Sequence, residues 1–358
     1  MRKGVLPFQL LREALDASFV TGIDPSFINP SSIDLPISDE AYRLETVFRP
    51  PKGACIRDLL QKVGAEPHDL RQKLEVKVPY LLRLEGVWSL PPHVYGYANP
   101  KSSVGRINLF CRTVADKVSK YDTMEPGAWN ERRELWLLVQ ANSFPVLLSP
   151  GIALSQMRLF DGQAFLDPTE TALFHGRSGF VFSDDGAKLP LDAHKDSLML
   201  SLFVGENMGY ACRAPKATLD LSRRDADPED FFEPIVPKKG KLVLEEDVFY
   251  ILRTCEHVRV PPELSAELRA SDSRIGEFRV HAAGFIDSGW GWSETGGVRG
   301  QPITLEIIPH ERTTFWHGQE IGRLRYEHMK QVPKVLYGSA NSNYTGQRGA
   351  TLAKFFKT

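Results

Sequence analysis

VPYLLRLEGVWSLPPHVYGY (residues 78–97) and VFYILRTCEHVRVPPELSAE (residues 248–267) align without a gap at a constant separation of 170. Val78 meets Val248, Tyr80 meets Tyr250, Leu82 meets Leu252, Arg83 meets Arg253, and Pro91-Pro92 meets Pro261-Pro262. Further along, SPGIALSQMRL (149–159) resembles WHGQEIGRLRY (316–326) at a separation of 167, and upstream PSSIDL (30–35) resembles KATLDL (216–221). Matches in the same order point to two copies of one unit. Long-period arrays need at least three repeats, so two copies indicate duplication of a whole domain.

Within each copy the pattern is that of short strands. Residues 78–88 and 248–258 are rich in Val, Leu, Ile and Tyr, and each run ends at a Pro-Pro pair that cannot continue a central strand. Residues 135–140 and 303–308 are further short apolar runs, and turn chemistry such as Glu125-Pro126-Gly127 and the glycine-rich stretch 289–300 separates the segments. Many short strands with regular turns predict an all-β sandwich, barrel or jelly roll. Helices are predicted only at residues 5–16, 56–63 and 67–74. The domains expected are a first unit over 1–165, a connecting segment over 166–195 and a second unit over 196–358. The stretch 161–195 and the charged loop 222–241 are expected to need no structure of their own.

The 358 residues carry a net charge of −1, 42% hydrophobic and 25% charged content. That composition allows two sizeable cores, and no global field draws the chain onto nucleic acid or an anionic membrane. An anionic ligand must be held by local charge and backbone donors. Cys55, Cys111, Cys212 and Cys255 are far apart and form no CxxC pair, which predicts reduced thiols in a cytoplasmic protein. No apolar run reaches the ~20 residues that span a bilayer. Arg12 and Glu13 interrupt the apolar stretch of Val5, Phe8, Leu10 and Leu11, so the N-terminus reads as a short amphipathic helix and not as a signal peptide.

Four segments carry the chemistry. Asn99-Pro100-Lys101-Ser102-Ser103-Val104-Gly105-Arg106 follows a strand and offers two cations, two hydroxyls and exposed backbone N–H groups to an anion. His281-Ala282-Ala283-Gly284-Phe285-Ile286-Asp287-Ser288-Gly289-Trp290 reads as a hairpin whose backbone can address the edge of a planar ring, with an acid at Asp287. Ile303-Thr304-Leu305-Glu306-Ile307-Ile308 sets one carboxylate in an apolar strand. Pointing outward it is an ordinary solvated acid; pointing inward it is desolvated and becomes a candidate general acid/base. The tail Tyr337–Gly349, rich in glycine and small polar residues, suits a flap that closes on a ligand.

Each segment alone is compatible with a plain turn or strand, but their order is specific. A serine-pair phosphate loop, an A-G-x-I-D hairpin, a strand bearing L-E, a G-x-x-I-G turn at Gly318, Ile321 and Gly322, and a Tyr- and Gln-containing tail together resemble the dCTP deaminases of the dCTP deaminase/dUTPase superfamily. Ile28-Asn29-Pro30-Ser31-Ser32-Ile33-Asp34-Leu35 matches the family's I-x-P-x-S-x-D-L motif. The resemblance implies two tandem dUTPase-like units, each a distorted barrel or jelly roll. It also implies that Lys101, Ser102 and Ser103 hold phosphates, and that Ser102 and Arg106 lie beside the reacting base. Ala283, Gly284, Phe285, Ile286 and Asp287 would read base and deoxyribose, Glu306 would be the catalytic glutamate, and Tyr337 and Gln347 would close on the triphosphate. Asn343 stands where the family's tail has lysine.

The copies are complementary. Val139 is the expected counterpart of Glu306 in the first copy, whose hairpin acid is lost in Asp116-Lys117-Val118-Ser119. The second copy's phosphate loop has contracted to Arg269-Ala270-Ser271-Asp272-Ser273-Arg274, where Asp272 repels phosphate. One composite site per chain is expected, the first copy donating the phosphate loop and the second the base pocket. The implied reaction is hydrolysis of dCTP at C4 to dUTP and ammonia. No histidine is followed two places on by Glu and P-C-x-x-C is absent, so the zinc-deaminase arrangement is not expected and Mg²⁺ would arrive with the triphosphate. His310 and His317 read as ordinary surface residues. The resemblance further implies dTTP as a feedback ligand and a homo-oligomer. Two alternatives stay open: a bifunctional enzyme or dUTPase releasing dUMP, and a non-catalytic nucleotide-binding protein.

Overall fold

The computed structural model describes residues 3–127, 131–191, 193–194, 197–269, 275, 278–281, 284–293, 299–339 and 342–357. Contacts group Met1–Gln163, Lys216–Asp230 and Ala353–Thr358 into one unit, and Ala164–Pro215 with Phe231–Leu352 into another. Both are built mainly from antiparallel strand pairs, so the all-β expectation holds.

In the first unit the helix α1 (Phe8–Asp16) buries Leu11. The main strands are β1 (Ile33–Arg43), β2 (Pro79–Trp88), β3 (Val94–Pro100), β4 (Leu109–Ala115), β5 (Arg133–Ala141) and β6 (Ala153–Asp161), in the sheet order β4–β5–β2–β1–β6–β3. Every neighbouring pair is antiparallel. Between β3 and β4 a single helical turn, α2 (Ser102–Gly105), carries the serine pair.

The second unit opens with α3 (Pro168–Ser178), a helix in the stretch expected to be unstructured. Asp167 and Glu170 form a reciprocal capping box, Pro168 occupies the first turn and Gly179 ends the helix at φ 71°. The strands that follow are β7 (Ser197–Ser201), β8 (Phe249–Val258), β9 (Leu264–Arg269), β10 (Phe278–His281), β11 (Phe285–Ile286), β12 (Gln301–Pro309) and β13 (Glu320–His328). One sheet contains β8–β12–β10 and the other β7–β13–β9–β11. The repeat seen in the sequence is a structural one: β2 and β8 are ten residues each at the separation of 170, and β6 and β13 are nine each at 167.

Three local expectations are corrected. Residues 67–74 are not helical: Asp69 caps a turn through the Arg71 and Gln72 N–H groups, and Leu74 pairs with Val146 in an extended bridge, so tertiary pairing overrides helix propensity. Residues 281–290 are not a hairpin. β10 pairs with β12 while β11 pairs with β9, so the chain changes sheets across this stretch. Of the loop 222–241, residues 222–230 group with the first unit as part of Lys216–Asp230, a segment whose Leu219–Asp220, just ahead of the loop, runs parallel to Val146–Leu147.

Gly209 sits at φ 156° against β8, and a Cβ added there would lie 1.9 Å from the Ile251 carbonyl oxygen. Gly209→Ala is therefore expected to destabilise the second unit by roughly 3 kcal/mol, measured by denaturant unfolding. Near-wild-type stability would show that the strand can move away.

Candidate functional site

The phosphate-loop candidates of the first unit are held by the motif Ile28–Leu35. Asn29 Nδ2 donates to Asp34 Oδ1 at 2.8 Å, and Asp34 in turn pairs with the Lys101 ammonium. Ser31 and Ser32 are fully buried: Arg158 donates to Ser31 Oγ at 3.1 Å and Ser32 Oγ to Gln156 Oε1 at 3.0 Å. A backbone turn completes the loop, with Val104 and Gly105 N–H on the Lys101 carbonyl at 2.8 and 3.0 Å. Lys101 and Ser102 are half-buried, whereas Ser103 and Arg106 are buried. The structure thus brings Lys101, Ser102, Ser103 and Arg106 together on one turn between β3 and β4.

In the second unit, alternation along β12 sends Ile303, Leu305 and Ile307 into the core and leaves Thr304 and Glu306 on the opposite face. Glu306 faces Ile251 on β8 and His281 on β10, and is only 3% exposed. It lies on the face away from that core and is nevertheless buried, not solvated. The ladder also corrects its counterpart in the first copy. Ile251 corresponds to Leu81, and Leu81 pairs with Leu138; the equivalent of Glu306 is Leu138, and Val139 is that of Ile307. Leu138 is packed in an apolar cluster with Leu44, Ile56, Leu81, Val114 and Trp136.

Gly284, Phe285 and Ile286 are buried beside β9, with the Gly284 carbonyl accepting from Leu268 N–H at 2.7 Å. Asp287 is half-buried and its carbonyl accepts from Trp290 N–H at 3.1 Å. Ala283 lies outside the described residues, as do Asp272 and Ser273 of the contracted loop. The tail is docked rather than loose. Tyr344 enters the core, Tyr337 N–H donates to Ser288 O at 2.8 Å, and the Tyr337 and Trp290 rings lie 5.0 Å apart. Gln347 Nε2 donates to Pro302 O at 2.5 Å and Thr351 N–H to Thr304 Oγ1 at 3.4 Å, so the tail runs along β12.

Tyr337 and Gln347 line a cavity of about 680 Å³ together with Arg253, His257, Arg299 and Arg348. Its lining does not include Glu306 or Asp287. Asp184 bridges two of these residues: Arg253 Nη1 and Nη2 reach its oxygens at 3.2 and 3.3 Å, and His257 Nε2 lies 2.7 Å from Oδ1. The Arg253 guanidinium also stacks on Phe203 at 3.5 Å. Sequence reasoning missed this group. The available signal was the arginine shared by both copies, since Arg83 pairs instead with Glu40 at 2.9 Å.

Fold and site together define a duplicated all-β chain with a serine-pair turn in one unit and a buried strand carboxylate in the other. The chain matches the family model of the 2′-deoxycytidine 5′-triphosphate deaminase N-terminal domain over residues 2–163 and that of the C-terminal domain over residues 171–356. It therefore belongs to the dCTP deaminase family. A crystal structure of 2′-deoxycytidine 5′-triphosphate deaminase from Agrobacterium tumefaciens is similar over 95% of this chain and 99% of that one, with a TM-score of 0.86 and 33% identity. A dCTP deaminase, dUMP-forming, from Mycolicibacterium gilvum is 30% identical over 181 residues, covering 48% of this chain and 89% of the relative. The enzyme of the same name from Rhodococcus opacus is 30% identical over 189 residues, covering 51% and 89%. Relatives of single length thus match about half of this chain, in keeping with two copies.

The Arg253 hydrogen bonds, followed by its charge and by His257, hold the Asp184 carboxyl below the usual carboxylate range. Its folded-state pKa is below the unfolded value of about 3.9, so the pair stabilises the unit above that pH. The contribution is lost as pH falls through the folded value. Asp184→Asn is expected to flatten this part of the acid limb in pH-dependent unfolding; an unchanged limb would mean that the pair is energetically silent.

Proposed function

We propose that the chain hydrolyses dCTP at C4 to dUTP and ammonia, with Glu306 as general base. The observation that carries the reading is Glu306 itself, a desolvated carboxylate fixed by strand register in a member of the dCTP deaminase family. A carboxylate kept from water is suited to taking a proton from one activated water and returning protons to the base. Water gives a proton to Glu306 as its oxygen bonds to C4. Protons then pass to N3 and to the exocyclic nitrogen, the C4–N bond breaks, and ammonia leaves behind a C4 carbonyl. Ser102 positions the water and Arg106 stabilises the developing charge. Lys101, Ser102 and Ser103 hold the phosphates, with Mg²⁺ arriving as part of the substrate.

Gly284, Phe285, Ile286 and Asp287, with Ala283, read the base and deoxyribose, and Tyr337 and Gln347 close over the triphosphate. In this reading the first copy supplies the serine-pair loop and the second supplies Glu306, so nucleotide binding saturates at one per chain. In this reading dTTP, another pyrimidine deoxynucleoside triphosphate, is the feedback ligand, and the chain assembles as a homo-oligomer.

A second reading has its own support. The Mycolicibacterium and Rhodococcus relatives are dUMP-forming by name, and Asp287 is a second carboxylate able to orient a water at the α-phosphate. Against it, Asn343 replaces a tail cation, which leaves the phosphates less firmly held for in-line attack.

Glu306→Gln keeps shape and removes the base, so ammonia release should fall by ~10²-fold or more while nucleotide binding survives; near-wild-type turnover rejects the mechanism. Chromatography at short times in the wild type should show dUTP accumulating, whereas dUMP and pyrophosphate rising in step with ammonia select the second reading. Ser102→Ala and Arg106→Ala should impair turnover about as severely as Glu306→Gln. Titration with a non-reacting dCTP analogue should reach one equivalent per chain; two equal sites would defeat the division of labour between copies.

A further inference from the structure

The cavity of the second unit opens on the sheet face that carries Glu306. In the β8–β12 ladder Ile251 faces Glu306 and Arg253 faces Thr304. These four side chains therefore project to one side, opposite Leu252, Leu305 and Ile307 in the core. Arg253 stands two residues, about 7 Å, along β8 from the position that faces Glu306. A ligand whose reacting end meets Glu306 can thus extend along this strand toward Arg253 and His257, which border the cavity.

The wall there is built around a fixed guanidinium. Arg253 is only 6% exposed. Two hydrogen bonds to Asp184, one to Thr254 O at 3.5 Å and the ring of Phe203 at 3.5 Å hold it in place. Those hydrogen bonds are fewer than the five N–H donors of a guanidinium. Asp184 is the one carboxylate among the described lining residues, against Arg253, Arg299 and Arg348. The next acid, Asp185, is engaged by Ser183 Oγ and Ala187 N–H and does not line the cavity. Beside His257 the wall is bare backbone. A Cβ on Gly291 (φ 59°) would lie 2.5 Å from Val258 O, and one on Gly300 (φ 82°) 2.7 Å from His257 O, so only glycine fits. The volume of about 680 Å³ suits a small-molecule ligand.

We propose that Arg253, Arg299 and Arg348 form the second unit's binding site for the triphosphate chain of the nucleotide, with Asp184 and His257 setting the Arg253 fork in advance. The proposal rests on reading Tyr337 and Gln347, which line the same cavity, as the residues that close over the triphosphate. A chain of phosphoryl groups is the ligand that guanidinium forks match bidentately. The three arginines supply the cationic charge that Asn343 lacks. Arg83, at the same place in the first copy, instead faces two carboxylates, Glu40 at 2.9 Å and Glu134 at 3.8 Å, which answer its charge within the fold.

Calorimetric titration of the full chain with inorganic tripolyphosphate reads the site without base or catalysis. Arg253→Gln and Arg348→Gln are each expected to weaken binding by about tenfold, the scale of one charge-assisted hydrogen bond. With dCTP, KM should rise by a similar factor at unchanged kcat, because ground state and transition state lose the same contact. Should Arg253→Gln fail to fold, Arg299→Gln and Arg348→Gln, on exposed side chains, carry the test. Tripolyphosphate is also expected to compete with a non-reacting dCTP analogue; simultaneous binding of both overturns the assignment to the nucleotide's own phosphates. Folded arginine variants that bind tripolyphosphate as wild type does overturn the proposal. Gln347→Ala separates the two levels: loss there alone rejects only the arginines, whereas no loss in any variant shows that the tail does not close over the triphosphate.

Discussion

The register between Phe249–Val258 and Gln301–Pro309 is the constraint on which the second unit depends. Because side chains alternate with period two, a slip of one residue would send Glu306 toward the core and bring Leu305 and Ile307 out. Both changes are costly: a carboxylate buried among apolar side chains without partners is penalised by several kcal/mol, and each displaced aliphatic side chain forfeits roughly 1.5–3 kcal/mol of burial. The apolar residues of β12 therefore hold the candidate carboxylate in place, and folding stability and site geometry share one origin. The tail follows the same register. Gln347 and Thr351 bond to Pro302 and Thr304 on this strand, so covering the strand depends on the pairing that orients Glu306.

The first copy shows what the ladder becomes without that demand. Leu138 occupies the position of Glu306 and packs against Trp136, Leu81 and Val114, so the site is filled rather than merely neutralised. A carboxylate could not return there by one substitution without burying charge among these side chains. The shared arginine diverged as well. Arg83 is absorbed by Glu40 and Glu134, whereas Arg253 borders a cavity with Asp184 as its acidic partner.

Much of this was legible in the sequence because it is carried by local pattern. Ten-residue strands at 79–88 and 249–258 follow from β-branched and aromatic runs ended by Pro-Pro, and the motif order led to the family. Details that depend on pairing were not legible. Residues 281–290 look like a hairpin, yet their two arms join different sheets, a choice made by partners outside the segment. Leu138 rather than Val139 matches Glu306 because the copies differ by a shift between strands that only the ladder reveals. The cavity group escaped notice because Asp184 lies 69 residues from Arg253, in a stretch read as a connector. One miss was avoidable: Asp167-Pro168-Thr169-Glu170 is a helix-start signature, with Gly179 as its stop.

The charge distribution explains how a chain of net charge −1 can be suited to a polyanionic ligand. At physiological ionic strength exposed charges are screened beyond about 8 Å, so the global sum says little about any one site. What matters is the balance within that radius. At the serine loop Asp34 is paired with Lys101; the cavity of the second unit sets Arg253, Arg299 and Arg348 beside Asp184. In each place a carboxylate fixes a cation: Asp34 holds Lys101 and Asp184 holds Arg253. An aspartate that fixes a lysine or arginine rotamer in advance removes part of the ordering entropy that a ligand would otherwise have to overcome. Asp34 and Asp184 therefore act as positioning elements for the cations they hold, and it is these preset cations that an incoming anion would meet.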